Sequence, residues 1–102
     1  MAVSIPPFLQ VFEKNNPEFY HATVELRQKV MYEPGALDVK TKLLIAFALD
    51  VSKGALDGVR LLAQRARDAG ASEAELEEVL MLLYAVGGQQ NLSFGAGVLR
   101  GE

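Results

Sequence analysis

Arg67-Asp68-Ala69-Gly70-Ala71-Ser72-Glu73-Ala74-Glu75-Leu76 ends one helix and starts another within a single short run. Gly70 suits the residue just past a helix end, where the chain enters the left-handed region that glycine occupies without a steric cost. Ser72 and Glu75 stand at the spacing of a capping box, in which hydroxyl and carboxylate each accept a backbone N–H at the head of the next helix. The boundary therefore falls at Asp68–Ser72, with a helix on either side.

Towards the C-terminus, Glu73, Glu75, Glu77 and Glu78 place negative charge at the positive end of the helix macrodipole. Beyond them, Val79 to Val86 is apolar on every side. A glycine-rich helix is predicted over Gln89 to Arg100. Towards the N-terminus, the helix stopped by Gly70 is predicted from about Gly54 to Ala69. Asp38 caps the one before it, which runs through Ser52 and carries the all-round apolar stretch Leu43–Leu49. Asn16-Pro17 pairs an N-cap with proline at the first helical position, opening a helix with the stripe Phe19, Thr23, Leu26, Val30 that ends near Glu33-Pro34-Gly35. A short opening helix follows Pro6-Pro7. No stretch alternates as a half-buried strand would. The reading is an all-α fold of about six helices in one domain, 1–102, without repeats or linkers.

Composition narrows the function. Half of the 102 residues are hydrophobic, a high share for a small soluble monomer and a sign that apolar surface meets a partner. Two all-round apolar helices point the same way, to a subunit interface. A net charge of -3 and a pI near 5.1, with acids and bases interleaved, provide no footprint for nucleic acid. There are no cysteines, which excludes disulfides, thiolate nucleophiles and zinc–thiolate sites. The opening Met-Ala-Val-Ser-Ile-Pro-Pro has no basic segment followed by an apolar one, and no apolar run is long enough to span a bilayer. A cytoplasmic protein is expected, and Asn91-Leu92-Ser93 is then a chance match to a glycosylation sequon.

The segment Leu37-Asp38-Val39-Lys40-Thr41-Lys42-Leu43-Leu44-Ile45-Ala46 resembles the opening of the core helical hairpin in the carboxymuconolactone decarboxylase and alkyl hydroperoxidase D-like family. The run from Arg67 to Leu76 resembles that family's second signature. The helix bearing Tyr84 and the Gly87-Gly88 pair extends the likeness over roughly residues 37 to 99. The resemblance implies an all-α fold around an antiparallel helical hairpin, assembled as a homo-trimer or hexamer.

In the hydroperoxidase-like branch of the family, a glutamate on the first helix of the hairpin and a Cys-x-x-Cys-x-x-x-His run on the second form a proton relay and a redox dithiol. Aligned by the matching flanks, those positions fall on Leu43, Ala55, Gly58 and Leu62. All four are replaced. The decarboxylase branch lacks the two cysteines but tends to keep the histidine, so Leu62 departs from it too. Ala55, Gly58 and Leu62 share a predicted helical face with Val59 and Ala66. That face is a dry apolar stripe, serving either as core or interface or as the wall of a pocket for an apolar ligand.

Other residues could carry chemistry. His21 is the one side chain that titrates near neutrality without help, but it shares a polar face with Glu25 and Gln28. Lys53 could attract an anionic substrate and Asp57 move a proton, although both suit the polar end and face of a helix, as do Arg60, Gln64 and Arg67. Tyr84 could direct its hydroxyl into a cleft or be a hydrogen-bonded core residue. Gly95-Ala96-Gly97 has no strand before it and lacks the spacing of a dinucleotide loop, so close helix packing accounts for it better. A metal would need carboxylates, and Glu73–Glu78 reads instead as a solvated first turn; no metal or cofactor is expected.

Three functions follow as expectations. The first is a homo-oligomeric family member without thiol peroxidase residues, acting as a binding or structural subunit, with a small apolar or carboxylate ligand as one possibility. The second is a cofactor-free decarboxylase-type lyase acting on a lactone or carboxylate through Lys53, Asp57, His21 or Tyr84. The third is a hetero-oligomer in which another protein supplies the missing relay, for instance as a component of a peroxide-detoxifying system.

Overall fold

The computed structural model describes residues 5–87 and 89–102, and all regular structure among them is helical. The helices are α1 Pro7–Asn15, α2 Pro17–Met31, α3 Val39–Lys53, α4 Leu56–Asp68, α5 Glu73–Gly87 and α6 Gln89–Leu99. Met1–Ser4, Gly88 of the glycine pair, and the side chains of residues 89–92, with Asn91 and Leu92 of the sequon among them, lie outside the described residues. Contacts gather the chain into two units, one ending at Val39 and the other Lys40–Glu102.

In the first unit, Asn16 alone separates the two helices. Its N–H donates to the Phe12 carbonyl at 2.8 Å, closing α1. Its Oδ1 accepts from the Phe19 N–H at 3.2 Å, opening α2, and Pro17 follows where a missing N–H costs nothing. The Phe12 and Phe19 rings then meet edge to face, with centroids 5.0 Å apart, an arrangement aromatic quadrupoles favour. Leu9 and Tyr32 are buried. The α2 stripe read from the sequence is present but outward-facing, with Phe19, Leu26 and Val30 each 45% exposed or more. α2 stops at Met31, short of the Glu33-Pro34-Gly35 boundary expected. Pro34 disfavours helical geometry in the residue before it, so the last turn cannot run up to the proline.

In the second unit, three helices end by one device. Ala55 N–H bonds the Asp50 carbonyl at 3.0 Å and Gly54 N–H bonds that of Val51 at 3.1 Å. Ala71 and Gly70 repeat the pattern on Ala66 and Arg67, and Glu102 and Gly101 repeat it on Gly97 and Val98. Each is a Schellman stop, with glycine at φ 71°, 102° and 91° for Gly54, Gly70 and Gly101, a region in which a side chain is strained. This corrects the expected start of α4. Gly54 ends α3 instead of opening the next helix, and Ala55 is the N-cap of α4, with non-helical backbone.

Leu43, Phe47 and Val51 recur every fourth residue on α3 and are buried, while Ile45 and Leu49 on its other flank stay about half exposed. Full burial of a side chain the size of Phe47 is worth about 3 kcal/mol. Lys40 Nζ lies 2.9 Å from Glu75 Oε2 and ties the start of α3 to the start of α5. α5 and α6 pack as a close pair. Gly95 is buried, and a Cβ there would stand 2.3 Å from Leu80 Cδ2. Close helix packing is therefore what this glycine serves.

Candidate functional site

The four positions that the family resemblance singled out are spread over α3, the α3–α4 turn and α4. Leu43 is fully buried on α3, and Leu62 is 6% exposed on α4. Ala55 is the α4 N-cap, and Gly58 sits in the first turn of that helix. Leu62, Val59 and Ala66 are buried together on one face of α4, whereas Ala55 lies just before the helix and is only partly buried. The side chains at 43 and 62 are thus part of the packed interior. Neither offers a proton.

Gly58 has a neighbour that sequence reasoning missed. A Cβ at this position would lie 2.1 Å from Asp50 Oδ2 and 3.0 Å from its Cγ. The Asp50 carboxylate occupies the space a side chain at 58 would need. Its place over the first turn of α4 is electrostatically favourable, because the helix start carries partial positive charge. Asp50 was legible only as an acid interrupting an apolar run. The tertiary structure pairs it with a glycine eight positions later.

The other candidates do not gather into one centre. His21 is exposed on α2, its ring stacked edge-on to Tyr20 with centroids 5.6 Å apart. Lys53 and Asp57 are exposed on either side of the α3–α4 turn, and Tyr84 is 49% exposed on α5. No hydrogen bond or ion pair joins any of these four to another among the described residues. Nor do three His, Asp or Glu side chains come together there in a way that could hold a metal ion.

Charge is organised instead around the α4–α5 junction. Arg67 grips both carboxylate oxygens of Glu73 across the turn, with Nη2 to Oε2 at 3.2 Å. That hydrogen bond holds Glu73 below the usual carboxylate range and raises Arg67 in return. Glu75 is also held low, first by the Lys40 ammonium and then by the Ser72 N–H. The capping box is complete, with Ser72 N–H to Glu75 Oε1 at 2.9 Å and Glu75 N–H to Ser72 Oγ at 3.0 Å. Arg60 reaches the terminal Glu102 carbonyl, and Gln64 bonds Asp68 at 3.0 Å. The solvated first turn expected of α5 is thus partly tied, at Glu73 and Glu75.

Between α5 and α6 runs a groove of about 440 Å³. Leu80, Met81 and Leu99 supply apolar walls, and Glu73, Glu77 and Arg100 the charged edges. Arg100 is occupied by Glu102 at 3.0 Å.

Helices stopped at Gly54, Gly70 and Gly101, with a capped helix start after Gly70, define an all-α class among the described residues, and comparison with known proteins agrees. Residues 17–100 match the carboxymuconolactone decarboxylase family. The chain belongs to that family. It is 30% identical over 76 residues to an uncharacterized protein of Methanocaldococcus jannaschii, covering 74% of this chain and 70% of that one. The apo crystal structure of a carboxymuconolactone decarboxylase family protein from Legionella pneumophila superposes with a TM-score of 0.80 at 34% identity, over 91% of this chain and 82% of the other. A provisionally assigned carboxymuconolactone decarboxylase from Burkholderia xenovorans shares the fold, with a TM-score of 0.75 at 23% identity over 95% and 81% of the two chains.

Proposed function

We propose that this family member does no thiol redox chemistry and serves as a homo-oligomeric binding or structural subunit. The observation that carries the reading is the filling of the family's reactive positions. Leu43 and Leu62 are 0% and 6% exposed, and the Asp50 carboxylate occupies the space beside Gly58. With no cysteine in the chain there is no thiolate to attack a peroxide. The role of an oligomer is supported by the exposed apolar side chains, among them Ile45, Leu49, Met81, Leu82 and Val86. A monomer would leave them in water, and burying such a surface between copies is favourable. Among the described residues no helix is long and apolar enough to cross a membrane.

The test is turnover by the purified protein of an organic hydroperoxide and of a carboxymuconolactone, with light scattering on the same sample. The expected result is an oligomer at micromolar concentration with rates equal to the protein-free control. Turnover of either compound that is lost on alanine substitution at Lys53, Asp57, His21 or Tyr84 would instead establish a lyase or peroxidase using unconventional groups.

A further inference from the structure

The first unit of the chain buries few of its large apolar side chains. Leu9 and Tyr32 are covered, while Phe8 and Val11 on α1 are 72% and 56% exposed. Three residues beyond Val11, in the last turn of α1, stands Lys14. Phe8, Val11 and Lys14 therefore follow one another at about 4.5 Å intervals along the helix axis. On α5, Glu77, Met81 and Tyr84 follow at about 6 and 4.5 Å. Met81 and Tyr84 are 63% and 49% exposed, and Glu77 and Met81 line the groove beside α6.

With α1 laid antiparallel to α5, the two rows match in order and nearly in spacing. Lys14 meets Glu77, Val11 meets Met81 and Phe8 meets Tyr84. The charges are complementary and available. Among the described residues neither Lys14 nor Glu77 has an ion-pair partner, while the neighbouring Glu73 is taken by Arg67 and Arg100 by Glu102. The antiparallel direction also sets the negative end of the α1 dipole beside the positive end of α5.

We infer that α1 of one copy docks on α5, along the α5–α6 groove, of a second copy, so that the N-terminal helix is the assembly arm of the oligomer. This rests on the homo-oligomeric reading above and names the surfaces that would build it. Repeated reciprocally the contact closes a dimer, and repeated head to tail it closes a ring.

The absence of cysteine makes the test clean. Val11→Cys and Met81→Cys chains carrying different tags are co-expressed and treated with a short bifunctional maleimide, with Lys53→Cys replacing Met81→Cys as the control. Both contact positions are exposed, so neither substitution endangers folding. The expected product is a mixed species of twice the chain mass, absent from the control. Light scattering and charge reversal complete the experiment: Lys14→Glu and Glu77→Lys each raise the dissociation constant about fivefold, and the two together restore it. An assembled wild-type protein that yields no mixed cross-link overturns the docking while leaving the oligomer intact, and the groove then belongs to another occupant. A cross-link formed within one chain of the double cysteine variant overturns it as well. A monomeric wild-type protein removes both the docking and the homo-oligomeric reading.

Discussion

At Gly54 and at Gly70 the chain halts a helix by the same pair of backbone hydrogen bonds with φ positive at the glycine, and an alanine follows each, yet beyond that alanine the two turns part. After Gly70 the local groups are all engaged: Ser72 and Glu75 cap α5, Arg67 clamps Glu73, and Lys40 reaches in from α3. After Gly54 the α4 N-cap is Ala55, whose methyl group makes no capping hydrogen bond, and the position three residues on is a glycine covered by Asp50. The turn after Gly70 carries a capped helix start, and the turn after Gly54 holds Ala55 and Gly58, two of the four positions that the family resemblance singled out. A helix stop needs only backbone and a glycine, whereas chemistry needs particular side chains beside it, so like stops can carry turns of unlike chemical content.

The comparison can be broken most forcefully at the buried position on α3 that the family resemblance singled out. Leu43→Glu places a carboxylate at a position with no exposure and should cost several kcal/mol. Urea unfolding should show a lost or strongly shifted transition. A variant as stable as the wild type would mean that this interior opens to water and that a reactive pocket persists.

A smaller effect is expected where the two turns are alike. Gly70→Ala forces a side chain into φ 102° and should destabilise by about 1–2 kcal/mol. The same change at Gly54, φ 71°, should behave similarly, since nothing crowds either position. Denaturant midpoints for the two variants test whether the stops are energetically equivalent. A large difference would show that the side chains around one of them carry part of its stability.

The smallest effect lies in charge. Glu73 and Glu75 are held below their ordinary value in the folded chain, so their contribution is present above that value and fades as pH falls through the lowered folded ones. Stability should decline below the usual carboxylate range, and Lys40→Met should flatten the part due to Glu75. A pH series of unfolding midpoints reads this directly. The slope should also weaken in high salt, since both carboxylates are solvent-facing.

Much of the scaffold was legible in the residues. Gly70, the Ser72–Glu75 box and Asn16-Pro17 each work through contacts only a few positions apart, so spacing alone reveals them. Gly54 was misread because a glycine at a helix boundary fits a start as well as a stop until the bonds of Ala55 and Gly54 are seen. Val79–Val86 showed an apolar helix but not which flank meets α6. Leu80 is buried while Met81, Leu82 and Val86 are exposed, and only the approach of Gly95 distinguishes them.

The sequence by itself determined that this is a helical member of its family with no thiol, because helix caps and the identity of a nucleophile are local properties of the chain. Tertiary structure alone decided that Asp50 lies over Gly58, that Leu43 and Leu62 are interior, and that Glu77 and Met81 border an open groove. Those facts depend on where helices distant in sequence come to rest against one another, and that follows from the packing of whole side-chain surfaces, which no short spacing encodes.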